Sequence, residues 1–416
     1  MKKNSYDITV HGRTIRDFEF IAGPLAALTI PQPPRKPEEF ILGAFEGGAT
    51  PIAGISHLEP DTYIADLKKI KARLGDAYFG ANMFAPWTST LEFIEKFCHL
   101  GDESPSFLDL NAIEINYTGI LPLLANVPLS IPIYLGINQP FSVYTFRKLL
   151  ADKAYAFMLE RIAAGQLKLY FPNNFGGGHL PILQRNQEQT DWLGALIQEL
   201  QGLEQEFKLT IPFIVEKGMM TVTDFVNTIV RYAAYPSFAG IRFGSCLLVS
   251  KECGLNQGCK DLLATIIRSK KTDRIIPIRS NIIGSKKFKK GRRVRGGVVS
   301  YVLATEIAKT IHEIQSEGED FPQFNRAYNP TVLVEQATTV PDHRICQLCV
   351  KDCPREFCEV KGAYDAAAAD GDVNQAIVLV SPRIVDIDER YIGAPISFMM
   401  QDMIGQTLAT IAEKYR

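Results

Sequence analysis

Along the first two-thirds of the chain a short apolar run is repeatedly followed by turn residues and then by a helical pattern. The runs are Phe18–Ile21, Thr50–Ile55, Tyr78–Met83, Ala112–Tyr117, Ile131–Ile137, Leu167–Phe171, Ile211–Val215 and Gly240–Phe243. Helical periodicity reads at Pro60–Leu74, Thr88–Cys98, Ser142–Ala164, Gln187–Lys208, Val222–Tyr235 and Glu252–Ile267. Strict alternation implies parallel strands, because each crossover must return the chain to the same end of the sheet. Eight such units imply closure, so the expected fold is α/β, a (β/α)8 TIM barrel. A doubly wound sheet would need a glycine-rich turn after its first strand. The first run instead enters Ala22-Gly-Pro-Leu-Ala-Ala-Leu-Thr-Ile-Pro31, which does not fit that fingerprint.

The last two units carry the clearest site signal. Ile211–Met220 reads as a buried strand ending at Gly218, and Phe238–Cys246 as another broken by Gly244-Ser245. In this architecture the loops after strands seven and eight often cradle a phosphate with backbone N–H groups. Glycine suits such turns because the backbone must approach the phosphate closely. Ordinary strand–helix turns use glycine too, so the pattern alone leaves both readings open.

The chain has 416 residues, against roughly 250 for a typical barrel. Residues 1–298 are therefore expected to form the barrel and residues 299–416 a C-terminal helical extension with a cysteine cluster. A helix is expected over Val299–Glu317, a strand over Ala376–Val380 and a last helix over Ile396–Lys414. A net charge of −1 argues against a nucleic-acid-coating protein. Residues 284–297 are strongly basic all the same; they suit phosphate groups of a carrier or nicotinamide cofactor, or simply a solvated loop. The N-terminus shows no apolar signal-peptide core. The uncharged stretch Ile115–Phe146 is interrupted by Pro122, Pro128, Pro132 and Pro140, which argues against a membrane helix. A soluble cytoplasmic protein with no membrane partner is expected, and its oligomeric state is open.

Four of the eight cysteines, Cys346, Cys349, Cys353 and Cys358, crowd into one short segment. In a large cytosolic chain such clustering favours metal over disulfides. Four thiolates suit a [4Fe–4S] cluster or, alternatively, a tetrahedral Zn²⁺. The spacing matches neither the ferredoxin run nor paired zinc knuckles. An iron–sulfur cluster could pass single electrons, with an electron-transfer protein as a further partner.

Several segments end at the carboxyl face of the expected barrel, where active sites of this architecture lie. They are the turn at Gly23, Phe79-Gly-Ala-Asn-Met-Phe84, Asn173-Asn-Phe-Gly-Gly-Gly-His-Leu180 and the turns at Gly218 and Gly244. The triple glycine lets a loop pass close to a flat ligand while presenting His179, whose side chain suits proton abstraction near neutral pH. Taken in order, Gly23-Pro24-Leu25-Ala26-Ala27, Phe79–Phe84, Gly176–His179, Lys217-Gly218-Met219 and Phe243–Cys253 resemble the nitronate monooxygenase (2-nitropropane dioxygenase-like) FMN barrels. That family includes FMN-dependent enoyl-ACP reductases. The resemblance covers roughly residues 15–300. It implies that Gly23, Pro24, Leu25 and Asn82 line a flavin ring. It also implies that Gly178, Lys217, Gly218, Gly244 and Ser245 bind the cofactor, and that His179 is the base or substrate-orienting residue. Departures from the family pattern are Phe175 in place of Glu, Pro181 where glycine is common, and Lys217 in place of the first glycine of its turn.

The function expected on this basis is an FMN-dependent oxidoreductase acting on a small-molecule or thioester substrate, either monooxygenase or reductase. An enoyl-thioester reductase is the nearest alternative. The rival of a different class is a non-catalytic, zinc-stabilised binding protein.

Overall fold

A computed structural model describes residues 2–23, 37–54, 60–84, 89–112, 125–137, 146–147, 150–153, 156–173, 179–181, 192–280, 298–306, 308–309, 312, 373–376, 378 and 380–416. The chain enters through an antiparallel hairpin, β1 (Tyr6–Val10) and β2 (Arg13–Ala22), the second strand continuing into the barrel. The barrel strands that follow are β3 (Thr50–Ala53), β4 (Gly80–Phe84), β5 (Phe107–Ala112), β6 (Ile133–Ile137) and β7 (Leu167–Asn173). After β8 (His179–Pro181), which lies elsewhere, come β9 (Phe213–Lys217) and β10 (Phe238–Phe243). Their order is β2-β3-β4-β5-β6-β7-β9-β10, every pairing is parallel, and β10 pairs back onto β2. Eight parallel strands thus close into a TIM barrel, as the alternation requires.

Side chains alternate across the wall. On β2, Phe18, Phe20 and Ala22 join the outer core beneath the helices, whereas Ile21 turns inward. Ile21, Ile52, Phe107, Tyr134, Tyr170 and Ile214 form a separate buried cluster inside the barrel, with the Phe107 and Tyr134 rings stacked at 4.2 Å. Charges close the amino end. Buried Glu19 pairs with Lys168 and, at 3.0 Å, with Lys3, and accepts the Tyr134 hydroxyl at 3.0 Å. Burial works against its charge, but Lys168 and Lys3 hold the Glu19 carboxyl below the usual range.

Among the described residues the longer helices are α1 (Pro37–Glu46), α2 (Pro60–Leu74), α3 (Ser89–Cys98), α4 (Ala156–Ala163), α5 (Trp192–Phe207), α6 (Val222–Tyr232), α7 (Gln257–Ser269) and α8 (Ile396–Lys414). The last helix does not hang on the outside as a separate appendage. It packs against α6, α1 and β1, between the helices that follow strand seven and strand one. It therefore fills the eighth place in the helical ring, while α7 packs against the 3-10 turns at 245–249 and 382–386.

Two expectations are corrected. The fourth barrel strand is Phe107–Ala112, not Ala112–Tyr117, most of which lies outside the described residues. Asp109 in the middle of Phe107-Leu-Asp-Leu110 disguised the run, because a charge is costly inside a barrel unless paired. The segment from Val298 is a strand, β12 (Val298–Leu303), where a helix was expected. Val298-Val-Ser-Tyr-Val-Leu303 is β-branched and aromatic, and it pairs antiparallel with β11 (Ile275–Ser280) and with β8. Val378 and Val380 exchange backbone bonds with Leu303 and Tyr301, although no strand is formed at the described residues of the segment expected as a strand over Ala376–Val380. Among the described residues, no helix is long and apolar enough to cross a membrane.

Candidate active site

Five strands of the barrel bring one polar network together in its interior. Asn82 comes from β4, Asp109 from β5, Tyr170 from β7, Glu216 from β9 and Arg242 from β10. Arg242 is buried and donates from Nη1 to Asp109 Oδ1 at 2.6 Å. Its guanidinium carbon lies 4.1 Å from the centroid of the Tyr170 ring, a cation–π contact. Its Nε faces Glu216 Oε2 at 3.5 Å. The second oxygen of Asp109 accepts the amide of Asn82. Tyr170 Oη and Arg242 Nε have no hydrogen-bond partner among the described residues.

The electrostatics follow from this packing. Burial opposes the charge on Arg242, but Asp109 and Glu216 outweigh it, so the guanidinium stays protonated. Burial raises the Asp109 carboxyl, against the pull of Arg242 and the Asn82 hydrogen bond. Burial likewise raises Glu216; Arg242 opposes the shift and Asp109 adds to it. Glu216 differs from the rest in access: its side chain is 35% exposed, against 3% for Arg242 and 0% for Asp109.

Gly23 joins the same network. A Cβ there would stand 3.1 Å from the Phe243 carbonyl oxygen and 3.3 Å from Arg242 Nε, so the end of β2 lies against β10 with little room for a side chain. Its N–H donates to Phe243 O at 2.7 Å. The structure thus packs the Gly23 backbone against Arg242, while Asn82 reaches the same Arg242 through Asp109. Pro24, Leu25 and Gly178 lie outside the described residues, as do Cys346, Cys349, Cys353, Cys358 and the basic segment 284–297.

The two expected phosphate turns differ. After β10, Ser245–Val249 forms a short 3-10 helix opened by Gly244, with Leu247 N–H returned to the Gly244 carbonyl. A short extra helix after strand eight is the usual phosphate-binding element of this fold, so this turn fits a phosphate. After β9, the turn at Gly218 leads into α6, whose N-terminus carries its own carboxylate. Asp224 accepts from Met220 N at 3.0 Å and from Thr221 N at 3.1 Å, while Thr221 Oγ1 caps Asp224 N. Arg383 from the C-terminal segment pairs with Asp224 at 2.9 Å and donates to the Gly218 carbonyl at 3.3 Å. Burial would raise Asp224, yet Arg383 and these backbone donors hold it below the usual range. Asp224 therefore already places a carboxylate at the N-terminus of α6, and the Gly244-Ser245 turn is the better candidate for a phosphate.

The backbone of His179 pairs with Ser300 in the small antiparallel sheet of β8, β12 and β11. Lys217 ends β9, its backbone opposite Asn173. Sequence reasoning missed Asp109, Tyr170, Glu216 and Arg242. A signal existed: a lone charge stands inside each of the apolar strands Phe107–Leu110, Phe213–Glu216 and Gly240–Phe243. Among the described residues no group of three or more His, Cys, Asp or Glu is placed to hold a metal ion.

No protein-family model matches this chain, and no curated protein matches it by sequence. Solved structures do match it. The enoyl reductase domain of MlnA, from the macrolactin biosynthesis cluster of Bacillus amyloliquefaciens, aligns with a TM-score of 0.61 at 11% identity, covering 95% of each chain. A variant of FabK from Thermotoga maritima aligns with a TM-score of 0.54 at 14% identity, again covering 95% of each chain. The chain is similar to these proteins over nearly its whole length and shares with them the fold, a (β/α)8 barrel.

Proposed function

We propose that this protein is an FMN-dependent oxidoreductase. The observation that carries the reading is that, in a closed barrel, the Gly23 backbone packs against Arg242, whose partner Asp109 holds Asn82, and the short extra helix after strand eight follows directly on the same strand as Arg242. Gly244 and Ser245 would hold the phosphate. Gly23, Pro24, Leu25 and Asn82 would border the ring, with Gly178, Lys217 and Gly218 completing the site. When bound, FMN supplies hydride or electron transfer. The chain's own residues supply the rest. Arg242 keeps a fixed positive charge beneath the mouth, Asp109 and Asn82 keep that charge in place, and His179 is proposed to orient substrate or take its proton.

Between monooxygenase and reductase, similarity to a domain named as an enoyl reductase favours the reduction of an enoyl thioester. Nitronate oxidation is the second reading, supported by the sequence resemblance alone. The four clustered cysteines are proposed to bind a [4Fe–4S] cluster, with zinc as the alternative.

An absorption spectrum of anaerobically purified protein tests this reading, together with chromatography of the released cofactor and iron, zinc and sulfide analysis. Flavin bands and released FMN are expected. Gly244→Asp would place a charge and a side chain where the phosphate sits, and should lower the flavin content strongly. A colourless protein that takes up no added FMN would overturn the proposal in favour of a non-catalytic binding barrel.

A further inference from the structure

The charged interior of the barrel has one member that opens outward. Asp109 and Arg242 satisfy each other at 2.6 Å, and the Asn82 amide completes the second oxygen of Asp109. Both ions are enclosed, so neither can exchange a proton with a ligand. Glu216 stands beside the same guanidinium at the longer distance of 3.5 Å, with 35% of its side chain accessible. Asp109 claims most of the Arg242 charge, and what reaches Glu216 compensates its burial only in part. The groups facing Glu216 among the described residues are Arg242 from β10, Asp109 from β5 and Tyr170 from β7. The balance of burial and like charge over one cation leaves Glu216 raised above an ordinary glutamic acid. Perturbed, accessible carboxyls of this kind mark functional sites.

From this geometry we infer that Glu216 is the proton donor at the barrel mouth, positioned by the Arg242–Asp109 pair, for a small conjugated carbonyl compound bound near Gly23. This deepens the oxidoreductase reading and rests on it. The O–H bond of Glu216 would break as a C–H or O–H bond forms on the substrate anion, for which bound reduced flavin would supply the hydride and its electron pair. The carboxylate left behind would be stabilised by Arg242 and regain its proton from water. No bond would form between protein and substrate.

Two measurements test this separately from flavin binding. The first is an infrared titration of carboxyl groups in wild type and Glu216→Gln, from about pH 4 to about pH 9. Carboxyl signal titrating above the ordinary glutamic acid range is expected in wild type, and one carboxyl's share of it should be missing in Glu216→Gln. The second is turnover of crotonyl-coenzyme A with NADH or NADPH, with flavin content measured in each preparation. Glu216→Gln should keep its flavin, lose ~10²-fold or more in kcat and lose the corresponding limb of the pH profile. Glu216→Asp should recover part of the rate, and it carries the comparison if Glu216→Gln does not fold. The inference is overturned if the carboxyl signal above the ordinary range is undiminished in Glu216→Gln, or if that variant keeps the wild-type rate and pH profile. A chain without flavin defeats the oxidoreductase reading, while the infrared titration still decides the state of Glu216.

Discussion

Two buried ion clusters occupy successive levels of one barrel, and at the residue scale they have different tasks. Glu19 is enclosed among Lys3, Lys168 and Tyr134 on the amino side, opposite Gly240 and two residues before the level of Arg242. Buried pairs seldom add net stability, but removing one partner leaves the other charge uncompensated. Glu19→Gln should therefore cost about 3–5 kcal/mol in denaturant unfolding while leaving cofactor content per folded molecule unchanged. The pH sign follows from its lowered carboxyl. The unfolded glutamate holds its proton to higher pH, so this stabilisation is present above about pH 4.3 and is lost as acid protonates the folded state. An unfolding free energy as large as wild type's would contradict this account of the amino-end cluster.

At the scale of elements, capping and close packing decide how the mouth is held. Thr221 and Asp224 form a reciprocal capping box at α6, and Arg383 ties that box to the Gly218 carbonyl. Asp224→Ala removes the cap and the ion pair together and should destabilise the protein by about 1–2 kcal/mol. Because the Asp224 carboxyl lies below its ordinary value, its contribution should disappear as pH falls through that lowered range, which thermal melts at graded acidity would show. A second contact of this scale is α1 against α8. A Cβ on Gly47 would meet Met400 Cβ at 2.6 Å and the Ser397 carbonyl oxygen at 2.7 Å. Gly47→Leu should force the two helices apart and lower stability by roughly 1–3 kcal/mol or more. An unchanged melting temperature in this variant would show that the helices do not meet there.

For the whole molecule, the position of α8 means that the barrel is completed by the end of the chain. Ile396, Met399, Met400, Met403, Ile404 and Ile411 are buried along it. At roughly 1.5–3 kcal/mol for each side chain, their removal would rival the roughly 5–15 kcal/mol by which a domain is stable. Deletion of residues 396–416 is expected to yield insoluble or unfolded protein, as judged by circular dichroism and size-exclusion chromatography. A soluble, cooperatively folding truncation would show that α8 is dispensable to the barrel.

The alternation of apolar runs and helical patterns determined the barrel by itself, because parallel strands joined by helices have few ways to bury both faces. Local signals also set the limits of α2 and α8, where Pro60 and Pro395 punctuate the entry and the periodicity persists. That Gly23, Gly218 and Gly244 each follow the end of a barrel strand was equally legible. The tertiary structure decided three things. It placed the fourth strand at Phe107–Ala112, where Asp109 makes sense only beside Arg242, which stands on a distant strand of the sequence. It made a strand of Val298–Leu303, because β11 and β8 were there to pair with it. It set α8 in the helical ring next to α1, at the other end of the chain. Pattern along a chain reports which face of an element is apolar. Charge compensation and the choice of neighbour depend on residues far apart in sequence, and exist only once the barrel has closed.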